Sequence, residues 1–199
     1  PSEILDSLRS AIEFSENKTS KIIVNVTLLN SIDKIKDKAF KKMNVSIENE
    51  MPQSLIEIGN YAFYGNSTLT QITIPTSVTT IGKSAFKKCT SLTHLSIPSS
   101  VTIIGEEAFS ECTLLKSIII STKITFIKDY TFNYCSSLTE IQIPFSVTII
   151  GDFAFQGCSS LKEIIIPSSV TSIGKGSFRK CSSLTQLEIS NSTTTICDY

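Results

Sequence analysis

The chain has 199 residues, 41% of them apolar, and its 18 basic and 18 acidic residues cancel to a formal charge of zero. No global field is left to attract nucleic acid or an anionic membrane, so a nucleic-acid partner is disfavoured. The longest apolar run is four residues, Tyr61 to Tyr64, far short of the roughly 20 that span a bilayer as a helix.

Residues 1–19 differ in kind from the rest. Ile4, Leu5, Leu8 and Ile12 fall on one helical face, Ser2 is available as N-cap, and Glu3 and Asp6 sit in the first turn, which predicts a capping helix over the first coil of a stacked array. No basic segment leads into an apolar stretch at Pro1, so no signal peptide is expected in the sequence as it stands. From about residue 20 the pattern changes, with Ile23, Val26 and Leu28 at strand positions and Ile32 and Ile35 behind them. Residues 20–199 are expected to form a single solenoid of about seven to eight coils.

The solenoid is read from a period. Phenylalanine recurs at 40, 63, 86, 109, 132, 155 and 178, a step of 23 residues each time. Leucine follows six residues later (Leu69, Leu92, Leu115, Leu138, Leu161, Leu184), and an apolar pair of period two comes next, as in Ile118/Ile120 and Ile164/Ile166. Period two predicts a short strand with one face inward. Pro52, Pro75, Pro98, Pro144 and Pro167 end it, having no N–H to donate. A second apolar pair in β-branched surroundings follows (Val78/Ile81, Val170/Ile173), then a glycine read as a turn (Gly59, Gly82, Gly105, Gly151, Gly174), a small residue, and the next phenylalanine. The segment around the phenylalanine is expected to be one helical or 3₁₀ turn. Ser121 replaces the proline and Lys128 the glycine in mid-array, so local shape should vary there. No 23-residue unit can bury its own apolar face, and only the coils above and below can cover it.

Five of the six cysteines, Cys89, Cys112, Cys135, Cys158 and Cys181, sit three residues after the phenylalanine. A thiol every 23 residues supplies neither the close local pairs of a metal site nor the opposed side chains of a disulfide, so they read as buried structural thiols. Free thiols point to a reducing, cytoplasmic setting. Five N-x-S/T sequons, at Asn17, Asn25, Asn44, Asn66 and Asn191, point the other way, to a cell surface, but arise easily in a chain rich in Ser, Thr and Asn.

The tile I-G-x-x-A-F-x-x-C-S-S-L-x-x-I-x-I-P-x-S-V-T-x, held from about residue 35 to 196, resembles the BspA-like leucine-rich repeats of microbial parasites and bacteria. The resemblance implies an α/β fold: a curved, right-handed leucine-rich-repeat solenoid with one short strand per coil. It also implies a role in adhesion or protein binding, and it brings no shared catalytic residues.

The residues themselves agree with a non-enzymatic reading, and no cofactor or metal is expected. His94 is the one histidine, and its neighbours Thr73, Ser96 and Lys116 offer no orienting acid. Strand positions facing away from the core are the binding candidates: Gln71, Thr73, His94, Ser96, Lys116, Ile119, Glu140, Gln142, Lys162, Glu163, Ile165, Gln186 and Glu188. They form a mixed strip with two exposed isoleucines, a surface of the kind solenoids use for protein partners. Lys123, Ile124, Thr125 and Phe126 resemble the degenerate segment (basic, Val or Ile, any residue, aromatic) that docks on protein phosphatase type 1, although Ile124 is a core position of the repeat. The expected function is therefore a protein-binding scaffold, with a surface adhesin for host or matrix proteins as the alternative.

Overall fold

The computed structural model describes residues 23–47 and 50–197. The expected capping helix lies outside them. Among the described residues each full coil is built from strands and turns, and none forms a helix. The α/β expectation is corrected accordingly, as is the expectation of one strand per coil. Most coils carry two, in the order β1 (Val24–Val26), β2 (Lys34–Ile35), β3 (Val45–Ile47), β4 (Glu57–Ile58), β5 (Thr80–Ile81), β6 (His94–Ser96), β7 (Ile103–Ile104) and β8 (Ser117–Ile119), the two kinds alternating except at β4 and β5. The order continues with β9 (Phe126–Ile127), β10 (Glu140–Ile141), β11 (Ile149–Ile150), β12 (Glu163–Ile166), β13 (Ser172–Ile173), β14 (Gln186–Ile189) and β15 (Thr195–Ile196). The second apolar pair of each tile thus makes a strand of its own. No described helix is long and apolar enough to cross a membrane.

All pairing is parallel and in the 23-residue register: Leu95 lies against Ile118, and Ile118 against Ile141. Two sheets result. The first comprises β1-β3, β6-β8-β10 and β12-β14; the second comprises β2-β4-β5-β7 and β9-β11-β13-β15. The second sheet is interrupted between β7 and β9, in the coil where Ser121 and Lys128 stand in for proline and glycine. Where proline is present, the turn after it closes at 3.0–3.1 Å, as from the Val101 amide to the Pro98 carbonyl, whereas the Ile124 amide lies 3.5 Å from the Ser121 carbonyl.

The side around the phenylalanine is not a helical turn, and backbone conformation explains why. In every coil the residues two before and two after the phenylalanine have positive φ, for example Glu107 (57°) and Glu111 (60°) around Phe109, and Tyr130 (57°) and Tyr134 (55°) around Phe132. A left-handed residue ends a right-handed helix. Hydrogen bonding alternates to match. The Tyr61, Phe63 and Gly65 amides donate to the Lys83, Ala85 and Lys87 carbonyls of the next coil, while the Ala62, Tyr64 and Asn66 amides close local turns on Gly59, Tyr61 and Phe63. Every second amide therefore joins one coil to its neighbour.

Between these three walls lies one continuous core. The phenylalanines from Phe40 to Phe178 stack coil on coil with centroids 5.2–5.7 Å apart. Such aromatic contacts contribute about 0.5–1.5 kcal/mol each beyond area burial. The leucine column and both apolar pairs are buried beside them through the middle coils. The repeating glycine is required by close approach: a Cβ on Gly82 would stand 2.6 Å from the Asn60 amide nitrogen of the coil beneath, closer than real Cβ atoms come. Gly82 does not have positive φ, so the turn role expected of it is replaced by a steric one.

The thiols run in single file through this core. Cys89, Cys112, Cys135 and Cys158 are buried and free, Cys181 is half-buried and Cys197 exposed. Each ladder thiol donates to the phenylalanine carbonyl of the preceding coil, from Cys89 to Phe63 at 3.2 Å and from Cys112 to Phe86 at 3.1 Å. Burial in apolar surroundings pushes their ionisation up, to about 12 at Cys112 and about 11 at Cys181. In the earlier coil Asn66 fills the slot, fully buried, its amide nitrogen on the Val45 carbonyl and its oxygen accepting from Thr68 and Leu69. This sequon asparagine has no room for a glycan in the folded chain.

Two measurements test the stack. Phe109→Ala removes a fully buried ring between two partners and should destabilise by about 3–5 kcal/mol in urea denaturation; an unchanged midpoint would contradict the ladder. The thiols predict the alkaline limb of stability. Unfolded cysteines ionise near pH 8.5, so the stability held by the neutral buried thiols is complete below that pH and is lost as pH rises towards the folded value, about 12 for Cys112. The denaturation midpoint should fall from pH 8 to 10, less steeply in a Cys112→Ala/Cys135→Ala chain.

Candidate functional site

A leucine-rich coil directs one residue of each strand pair inward and the next outward, so the first sheet presents two outward columns. In the first column Gln71, His94, Ser117, Glu140, Glu163 and Gln186 recur at the 23-residue step, and the register aligns His94, Ser117 and Glu140 directly. In the second, Thr73, Ser96, Ile119, Gln142, Ile165 and Glu188 recur likewise. All but the half-buried Ser117 are exposed. Lys116 and Lys162 are exposed too but stand one residue earlier, in the column of Thr93 and Thr139. Lys116 belongs to that neighbouring column, and Ser117 takes the place the sequence reading gave it.

Five of the candidate residues, Ile119, Glu140, Gln142, Glu163 and Ile165, line one groove of about 690 Å³ across three consecutive coils. Its floor is formed by Ile118, Ile141, Ile143 and Ile164, and its remaining walls by Ser117, Phe145 and Pro167. Gln71, Thr73, His94, Ser96, Lys116, Gln186 and Glu188 lie outside it. The groove coincides with the interruption of the first sheet between β10 and β12, which are adjacent in the stack without ladder pairing. Ile119 and Ile165 are 68% and 61% exposed, and Phe145 is 78% exposed.

Phe145 was missed by the sequence reading. It follows the strand-ending Pro144, at a corner where other coils carry Gln53, Thr76, Ser99, Thr122, Ser168 and Asn191. A large ring in an otherwise polar column was the available signal. The outward column of the second sheet holds three further exposed apolar residues in consecutive coils, Ile103, Phe126 and Ile149.

The remaining candidates are placed as follows. The imidazole of His94 contacts the Thr93 hydroxyl at 3.1 Å. Among the described residues no group of three His, Cys, Asp or Glu side chains is placed to hold a metal ion. In the docking segment Lys123 and Thr125 are exposed and Phe126 faces outward in β9, but Ile124 is in the core, 2% exposed, with its carbonyl accepting from the Ser146 hydroxyl at 2.6 Å. The two apolar anchors of that segment point in opposite directions.

Charges on the turn side are already engaged within the chain. Lys87 lies 3.1 Å from Glu107, Lys88 3.6 Å from Glu111, and Lys180 donates to the Tyr134 hydroxyl at 3.2 Å. Burial raises the Glu107 carboxyl, but the Ser84 hydroxyl and Lys87 outweigh it and hold the group below its usual range. By contrast the Glu140 and Glu163 carboxylates form no ion pair or hydrogen bond among the described residues.

Comparison with known proteins identifies the fold. Solved structures with this architecture include a leucine-rich repeat protein from Bacteroides ovatus (30% identity, TM-score 0.65, covering 88% of this chain and 51% of that one). A second is the leucine-rich repeat protein of T. pallidum (27%, 0.69, 87% and 78%). A third is a leucine-rich cell surface protein from Faecalibacterium prausnitzii (28%, 0.52, 86% and 62%). The chain thus spans about half the length of the Bacteroides protein. No curated protein sequence matches it, and no enzyme family is indicated. The sequence model of the BspA type leucine rich repeat region matches residues 11–139 and 102–199, in six copies, so the chain belongs to the BspA-type leucine-rich repeat family.

Proposed function

We propose that the chain is a non-catalytic protein-binding module whose partner docks on the outward face of the first sheet, centred on the groove between Ile119 and Ile165. The observation that carries this reading is the groove itself: exposed apolar side chains beside polar ones, over a floor of buried core isoleucines. An interface centre has that composition, since a few desolvated apolar anchors supply most of the affinity and a polar rim excludes water. Stacked coils hold the face preorganised, so little ordering opposes binding. The turn-side ridge of Lys87, Lys88, Arg179 and Lys180 is a weaker candidate because its lysines already have partners in the chain.

A second reading, a cell-surface adhesin, is favoured by the description of the Faecalibacterium neighbour as a cell surface protein and by the exposed sequon residues Asn25 and Asn191. The unpaired thiols favour a reducing, cytoplasmic setting instead. Both readings use the same face. A phosphatase type 1 partner at Lys123–Phe126 would require Ile124 to leave the core.

An Ile119→Asp/Ile165→Asp chain should lose capture of its partner from source-cell extract, followed by mass spectrometry, and keep its circular dichroism spectrum. Loss on Lys87→Glu/Arg179→Glu instead would move the binding face to the turn-side ridge. Protease shaving of intact cells separates the two settings: a surface protein is cleaved, a cytoplasmic one is spared.

A further inference from the structure

The charge of the groove narrows what it can hold. Its only charged lining groups are Glu140 and Glu163. They are 23 residues apart, at the same position of consecutive coils, on strands β10 and β12 that no ladder joins. Like charges stacked across strands repel. Neither carboxylate is neutralised by a lysine, although Lys162 precedes Glu163 and Lys116 stands one coil before Glu140, because those side chains leave the sheet from the neighbouring column and do not line the groove. Ile119 and Ile165 stand two coils apart in the neighbouring column, one on each side of Gln142 and beside the carboxylate pair, and Phe145 closes the corner. At about 690 Å³ the groove is in the size range of pockets that take a small ligand or a few side chains.

We infer that this groove binds a peptide segment of its partner in which an arginine or lysine stands next to large apolar side chains. The inference rests on the reading of this face as the binding site. The cation answers the two unpaired carboxylates, and a guanidinium fits best because its planar fork can meet both at once. The adjacent apolar side chains cover Ile119, Phe145 and Ile165, whose exposure to water is otherwise uncompensated. An acidic segment would add a third and fourth negative charge to the groove, and a purely apolar one would strip water from two carboxylates without replacing it.

A phage-displayed random peptide library selected on the immobilised chain tests this. The enriched sequences should carry Arg or Lys next to large apolar residues. Synthetic copies should bind in fluorescence anisotropy, weaken with added salt, and lose about tenfold or more in affinity to a Glu140→Gln/Glu163→Gln chain. Both glutamates are exposed, so the substitutions leave the fold intact. A second chain, Ile119→Ser/Ile165→Ser, changes no charge and separates the two claims. Peptides weakened by the serine pair but indifferent to the glutamine pair, or enriched without a cation, overturn the cation inference and leave the binding face standing. Peptides indifferent to both pairs, or a library that yields no binder, overturn both.

Discussion

The structure depends on one constraint: half of the amides around the phenylalanine have no acceptor within their own coil. The Tyr61, Phe63 and Gly65 N–H groups reach across to Lys83, Ala85 and Lys87, and the same alternation recurs in the coils that follow. An unpaired buried amide is expensive, so a coil of this sequence is stable only beside another. The stacked phenylalanines and the thiol-to-carbonyl bonds follow from that, because a stack held in backbone register puts each side chain on its own counterpart. The glycine column answers the same demand, since three hydrogen-bonded walls bring neighbouring backbones too close for a Cβ.

Because most interior positions repeat, one coil differs from the next chiefly where columns depart from their rule. In the outward columns of the first sheet most coils carry Thr, Ser, Gln, His or Glu; isoleucine occurs at 119 and 165. In the corner column six polar residues accompany a single Phe145. These departures fall in three consecutive coils and meet at a place where the ladder between β10 and β12 is absent. Scaffold and candidate site are therefore separable: the columns that agree hold the stack, and those that disagree shape its surface.

The stack was legible in the sequence because its determinants are side chains that recur. Phe, Leu, Ile, Pro and Gly at fixed offsets announced both the coils and their inward faces, and the outward position of Ile119, Glu140 and Ile165 followed from period two. What was not legible is set by the backbone. Positive φ is signalled in a sequence by glycine, yet most left-handed positions here hold Lys, Tyr, Glu, Ser or Phe153, and glycine appears only at Gly65, Gly157 and Gly176. The segment therefore read as a helical turn. Likewise the Phe63 and Phe86 carbonyls that receive the thiols have no side-chain signature. Phe145 did carry a signal, but only in comparison with its own column, and Lys116 was placed one residue out because it is the more polar neighbour of Ser117.

The alternating amides also govern how such a chain can change length. Each links a residue to one 22 positions ahead, while the strands and hydroxyl ladders link residues 23 apart. Adding or deleting one residue within a coil puts every bond to both neighbours out of step and turns inward side chains outward. Adding or deleting a whole coil changes none of these relations. Length in this architecture is quantised, so duplication of an entire tile is the move the backbone permits, and each new tile arrives with its outward columns free to diverge.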